Sequence, residues 1–169
     1  MDYLMLILRL THIFAGIFWV GATLMMSFIV EPTTRATGEA GQQVIHHLMT
    51  KARLSTAMTV AAILTVLAGY TMYWLDSDGF SSAWTHSGPG IGFGIGGAAG
   101  LFGLIFRILA NRNMTTLSRL ASQNKERPAS EQSQKLISLQ KSLARLNMLN
   151  TWALIIAVLF MATARYLVF

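Results

Sequence analysis

The chain contains no cysteine. That excludes disulfides, thiolate metal sites and iron–sulfur clusters, and leaves histidine, methionine, carboxylate or a prosthetic group to hold any metal. Charge is also scarce. Asp, Glu, Lys and Arg make up 12% of the 169 residues against 53% hydrophobic, a balance typical of a polytopic membrane protein. No basic segment precedes the first apolar run and no small-residue cleavage site follows it, so that run is expected to remain as a spanning helix. No internal duplication is visible, which gives no support to an inverted-repeat transporter.

Four apolar runs are present, Leu4–Val30, Leu54–Leu75, Ile91–Leu109 and Leu149–Val168. Each is near the roughly 20 residues that a spanning helix needs. The expected fold is an all-α membrane protein, a single four-helix transmembrane bundle over residues 1–169. The net charge of +6 would suit nucleic acid, but its distribution says otherwise. Eleven of the 13 basic residues fall in the first and third connections or at their helix ends: Arg35, Lys51, Arg53, Arg107, Arg112, Arg119, Lys125, Arg127, Lys135, Lys141 and Arg145. Only Arg9 and Arg165 lie on the other side, with Asp2, Asp76 and Asp78. The positive-inside rule then places both termini and the Asp76–His86 loop outside the cytoplasm, in a bacterial inner membrane, with the basic side able to touch anionic lipid.

Several boundaries follow from local chemistry. Glu31-Pro32 is expected to end the first helix, because proline restricts the residue before it. The stretch Glu39–Arg53, polar on one face, is expected to extend the second helix below the membrane. Asp76-Ser77-Asp78-Gly79 ends that helix on the outer side, and Gly88-Pro89-Gly90 reads as a turn. After Pro128, Leu136, Leu139, Leu143 and Leu146 recur at helical spacing and predict an amphipathic helix running into the fourth span. With an extension of the third helix it would form a cytoplasmic helical hairpin.

The third helix carries Gly92, Gly96 and Gly100 at spacing of four. Small residues in that pattern let helix backbones approach, within the chain, in a homo-oligomer or in a larger complex. They could equally form a flat slot beside a planar ligand. A dinucleotide site is excluded, since no strand precedes the glycines.

His12 is the residue with most to explain. It lies within the first apolar run, where no water satisfies an imidazole, and intramembrane ionisable residues are functional candidates by default. By helix rise, its level matches Gly69-Tyr70, Gly96 and Thr163 in the other spans. Glycines at that level would leave room for a porphyrin, whose iron takes axial His or Met. His86 lies on the same side as His12 and is the favoured second ligand, with Met72 and Met161 as alternatives. His46 and His47 belong to the opposite end. Arg9 and Arg165 are the outer cations that could pair with heme propionates.

Plainer readings stand beside these. His12 could hydrogen-bond a backbone carbonyl or Thr163, His86 could be an exposed loop residue, and the two arginines could snorkel to headgroups. Of the 10 methionines, Met25, Met26, Met49, Met58 and Met148 share the inner half. They are ordinary apolar filler or, with His12 and His86, soft ligands for copper.

The string Leu10-Thr11-His12-Ile13, followed by Trp19-Val20-Gly21-Ala22, resembles a pattern in CopD-like copper-resistance domains and HemJ-type protoporphyrinogen oxidases. In both, an early-helix histidine precedes a Trp-x-Gly motif. The resemblance covers about the first 30 residues and the four-helix plan. It implies that His12 is a heme or metal histidine. HemJ-type proteins carry a lysine in a later span, and this chain has none within its apolar runs. CopD-like domains are larger and joined to a copper-binding partner. What carries over is a small membrane protein resembling b-type cytochromes, with one heme b near the outer leaflet. It would pass electrons to or from a quinone or a periplasmic partner, as a heme-dependent oxidoreductase or an electron carrier. A copper-handling or transport protein is the alternative, and a non-catalytic subunit of a larger membrane complex is the third.

Overall fold

The computed structural model describes residues 3–81, 83–123 and 130–168, and among these it consists of helices joined by short turns, with no strand. Asp2, Lys125, Arg127 and Pro128, which the sequence reading used, lie outside the described residues.

Helix α1 (Tyr3–Met25) does not stop at Pro32. A proline in a regular α-helix lacks the amide proton owed to the carbonyl four residues back, and its ring collides with that carbonyl. Here a π-helical turn, Met26–Val30, closed by Glu31 N–H donating to the Met26 carbonyl, widens the helix ahead of the proline. The path then continues as α2 (Glu31–Thr37) and breaks only at Gly38, whose φ is +59°.

Helix α3 (Glu39–Thr50) is separate from α4 (Leu54–Asp76), not an extension of it. Arg53 takes left-handed φ of 49° between them, and α3 folds back mainly against α2. At the far end of α4, buried Ser77 fixes the turn: its hydroxyl accepts from Phe80 N–H at 3.1 Å and donates to the Trp74 carbonyl at 3.3 Å. Around it Tyr73, Trp74, Phe80, Trp84 and Phe93 form an aromatic cluster, with Tyr73–Trp84 centroids 5.3 Å apart. Such rings suit the level of lipid headgroups.

Gly88-Pro89-Gly90 is the first turn of α5 (Gly88–Gln123) and not a reverse turn. The Ser87 hydroxyl accepts from Gly90 N–H at 3.2 Å, a helix N-cap, and proline is tolerated so early in a helix. The glycines are needed because a Cβ at 88 would collide with the Leu167 carbonyl and one at 90 with the Trp84 carbonyl. Helix α6 (Ser130–Thr163) is unbroken, with Leu136, Leu139, Leu143 and Leu146 half-buried on one face as their spacing predicts. A 36-residue α5 spans roughly 54 Å, well beyond the roughly 30 Å of hydrocarbon, so α5 and α6 form a long hairpin.

The helices are arranged as neighbours in chain order. Helix α1 packs on α4, α4 on α5, and α5 most extensively on α6, while α1 and α6 touch lightly. Trp19 of α1 sits at the centre, 1% exposed, against Ala61 and Ala62 of α4 and Leu154 of α6. Two adjacent alanines on α4 provide the slot that an indole fills. Among the described residues four stretches are long and apolar enough to cross a membrane: Tyr3–Thr37, Leu54–Asp76, Gly88–Leu117 and Gln134–Tyr166.

Candidate functional site

His12, Gly16, Trp19 and Thr23 recur at helical spacing and form the face that α1 turns toward the other helices. Helix α4 answers with Ala61, Ala62, Thr65 and Gly69. The Nδ1–Cε1 edge of the His12 imidazole lies against position 69: a Cβ there would fall 2.8 Å from Cε1 and 2.9 Å from Nδ1. One turn earlier on α4, the Thr65 carbonyl sits 2.7 Å from His12 Nδ1. A carbonyl can only accept, so Nδ1 carries the proton and donates. In a neutral ring Nε2 then holds the lone pair. The partner is a backbone carbonyl of the second span, not Thr163, whose hydroxyl donates to Leu159.

The other residues singled out from sequence are distributed around this pair. Arg9 precedes His12 by one turn on α1 and is exposed. His86 is exposed in a short 3₁₀ turn, Ala83–His86, ahead of α5. Arg165 is exposed in the 3₁₀ turn that ends α6, Ala164–Tyr166. Gly88 abuts Leu167, so His86 and Arg165 each stand two residues from one contact and share a corner of the bundle. No hydrogen bond or ion pair among the described residues ties His12 to any of the three.

Gly96 belongs to another interface. A Cβ there would lie 3.2 Å from the Met161 side chain and 3.3 Å from the Ala157 carbonyl, both of α6. Gly103 likewise faces α6, against Leu154, and Gly92 faces Ala164 in the turn that follows α6, whereas Gly97 and Gly100 meet nothing within 4 Å. The glycine face is thus mainly a packing surface inside the chain, and Gly69 alone of the depth-matched glycines touches His12.

A second polar site lies at the opposite, basic end and was not read from sequence. Arg107 of α5 is 9% exposed within a spanning segment. Its Nη2 donates to the Ser55 carbonyl at 3.2 Å and to Ser55 Oγ at 3.1 Å. The Ser55 hydroxyl donates to Asn111 Oδ1 at 2.9 Å, and Asn111 Nδ2 donates to Thr59 Oγ1 at 2.8 Å, tying α5 to the start of α4. On α6, Thr151 pairs with Ser27 of the π-turn at 2.8 Å and Asn147 Nδ2 donates to Glu31 at 3.3 Å. Ser27, Glu31, Ser55, Arg107, Asn111 and Asn147 line a cavity of about 210 Å³, together with Met26, Met49, Met58 and Met114. Arg107 Nε and Asn150 Oδ1 are buried with no hydrogen-bond partner among the described residues.

Sequence counting placed Arg107 among the charges that set topology. The available signal was its register: Arg107 and Asn111 stand four apart on one face of α5, as Ser55 and Thr59 do on α4.

Among the described residues no three His, Asp or Glu side chains cluster closely enough to hold a metal ion. Any metal at His12 would therefore need a prosthetic group or a mixed ligand set. Fold and composition together define a four-helix integral membrane protein. No family model, no curated protein and no solved structure matches the chain.

Proposed function

We propose that the protein binds one b-type heme through His12 and transfers electrons in a bacterial inner membrane, with both termini outside the cytoplasm. The observation that carries this reading is the 2.7 Å contact between His12 Nδ1 and the Thr65 carbonyl. Metal-bound histidines commonly donate their other ring proton to a carbonyl or carboxylate, which fixes the tautomer and raises the basicity of the ligating nitrogen. His12 has that arrangement before any metal is considered, with Nε2 as the available ligand.

Position 69 supports it, because the absent Cβ lets the ring lie against α4 with its orientation set by packing. Arg9, one turn away on the same face and exposed, suits a propionate, and Arg165 could take the second. His86 is the proposed second ligand. Met72 is the alternative, one turn beyond Gly69 on α4 and half-buried. Bound heme would supply one-electron exchange between ferric and ferrous iron. The chain's own part is to orient His12, pair the propionates and keep the iron in an apolar surrounding. A quinone or a periplasmic protein would complete the couple.

Copper handling is the second reading, favoured by the four methionines that line one cavity. Arg107 weighs against it there, since a buried guanidinium repels a cuprous ion in the same space. Metal and porphyrin analysis of protein purified after expression with ample heme separates the two. The heme reading predicts about one iron and one porphyrin per chain, both lost in His12→Ala. Copper without porphyrin, retained in His12→Ala and lost on replacing Met26 and Met58, would establish the alternative.

A further inference from the structure

The cavity beside Arg107 has a charge that no carboxylate among the described residues pairs with. Arginine stays protonated in proteins, so a guanidinium at 9% exposure in a spanning segment is a buried cation. Burying such an ion unpaired is strongly unfavourable even after relaxation. Ser55 satisfies Nη2 with neutral oxygens, which hydrogen-bond but do not neutralise.

Glu31 lines the same cavity, yet its carboxylate is engaged elsewhere, 3.8 Å from Arg35 and 3.3 Å from the Asn147 amide. Among the described residues no ion pair joins it to Arg107. An adjoining cavity of about 270 Å³, lined by Arg35, Gln42 and Gln140, shares Glu31, Ile45, Leu143 and Asn147 with the first. Across both cavities the lining holds two cations, Arg35 and Arg107, and one carboxylate, Glu31. One negative charge is missing.

We infer that this cavity binds a short-chain monocarboxylate, its carboxylate on Arg107 and its apolar chain among Met26, Met58 and Met114. The polar part of the wall is formed by the Arg107 guanidinium and the Asn111 amide, whose Nδ2 keeps one proton beyond the bond to Thr59. An Arg–carboxylate contact is charge-assisted and roughly twice as strong as a neutral hydrogen bond. Alongside polar Ser27, Glu31 and Asn147, the wall carries Met26, Met49 and Met58, a thioether stretch that distinguishes a carboxylate with a tail from a bare inorganic ion. About 210 Å³ admits a chain of a few carbons, and the adjoining cavity provides the way in past Glu31 and Asn147.

The test is calorimetric titration of the wild-type protein in nanodiscs of neutral lipid with butyrate, its neutral isostere butyramide, and chloride. Butyrate should bind saturably and butyramide at least about tenfold more weakly, the difference that a hydrogen bond to a charged group supplies. Chloride should also bind more weakly, lacking the chain. Arg107→Gln should weaken butyrate by a similar factor. Should that variant fail to fold, Arg107→Lys provides the second reading: it keeps the charge, so butyrate should still bind more tightly than butyramide. Equal binding of butyrate and butyramide, or no saturable response to either, would overturn the inference. So would occupancy seen only when phosphatidylglycerol replaces the neutral lipid, which would assign Arg107 to a headgroup phosphate.

Discussion

An alanine at position 69 is expected to strip heme from the protein while leaving the bundle folded. The added methyl would lie 2.8 Å from His12 Cε1 and 2.9 Å from Nδ1, closer than carbon atoms tolerate, so the imidazole must move. The ring is the outer end of a side chain with two rotatable bonds, and it can swing without shifting either helix. Stability should therefore fall only by the lost Nδ1–Thr65 bond, about 1 kcal/mol. The consequence for a ligand is larger. A ring rotated off its carbonyl loses both its fixed tautomer and its aim, and disturbing such an orienting partner costs about 10–100-fold in metal affinity. Heme content and thermal unfolding of Gly69→Ala measured together check this. Loss of heme with a near-native melting temperature is the expected pair. Full heme content would show that the His12–Gly69 contact does not set the site.

Leucine at position 92 should have the opposite signature, a large loss of stability. A Cβ there would lie 2.8 Å from the Cα and Cβ of Ala164 and from Leu167, so backbone and not a mobile side-chain end stands in the way. Overpacking of this kind costs about 3 kcal/mol, since α5 and the 3₁₀ turn that follows α6 must separate. Without an oil–water driving force between membrane helices, that close packing is much of what holds the hairpin together. Gly100→Leu is the matched control. Nothing lies within 4 Å of position 100, and leucine is the better helix former by up to about 1 kcal/mol. Thermal unfolding of the two variants should show Gly92→Leu strongly destabilised and Gly100→Leu unchanged or improved. Equal destabilisation of both would mean that the glycine face has a partner outside the chain.

The four spans were legible because bilayer thickness demands long apolar runs, a property that each segment carries by itself. The amphipathic start of α6 was legible for the same reason: the spacing of Leu136, Leu139, Leu143 and Leu146 is local. Boundaries were harder where two local signals compete. Pro32 predicts a helix end, but a π-turn before it removes the collision. Gly88-Pro89-Gly90 has the composition of a turn, but the Ser87 cap and the neighbouring carbonyls make it a helix start. Residues 39–53 looked continuous with α4 because nothing in an arginine announces left-handed geometry at position 53.

The interior depended on long-range pairing, which no local pattern encodes. His12 was recognisable as buried and polar, and Gly69 as its neighbour by depth. That Gly96 instead faces Met161 follows from α5 pairing with α6. The cluster around Arg107 joins residues 52 to 56 positions apart on α4 and α5. From sequence alone its members were separate polar residues near helix ends.

The most direct test of the heme assignment is the reduced-minus-oxidised absorption spectrum of purified wild type and His12→Ala after heme-supplemented expression. The wild type should show a b-type spectrum at about one heme per chain, and His12→Ala should show none while remaining helical and monodisperse. A folded wild type without a heme band, or a band that survives unchanged in His12→Ala, would contradict the assignment of His12 as the ligand.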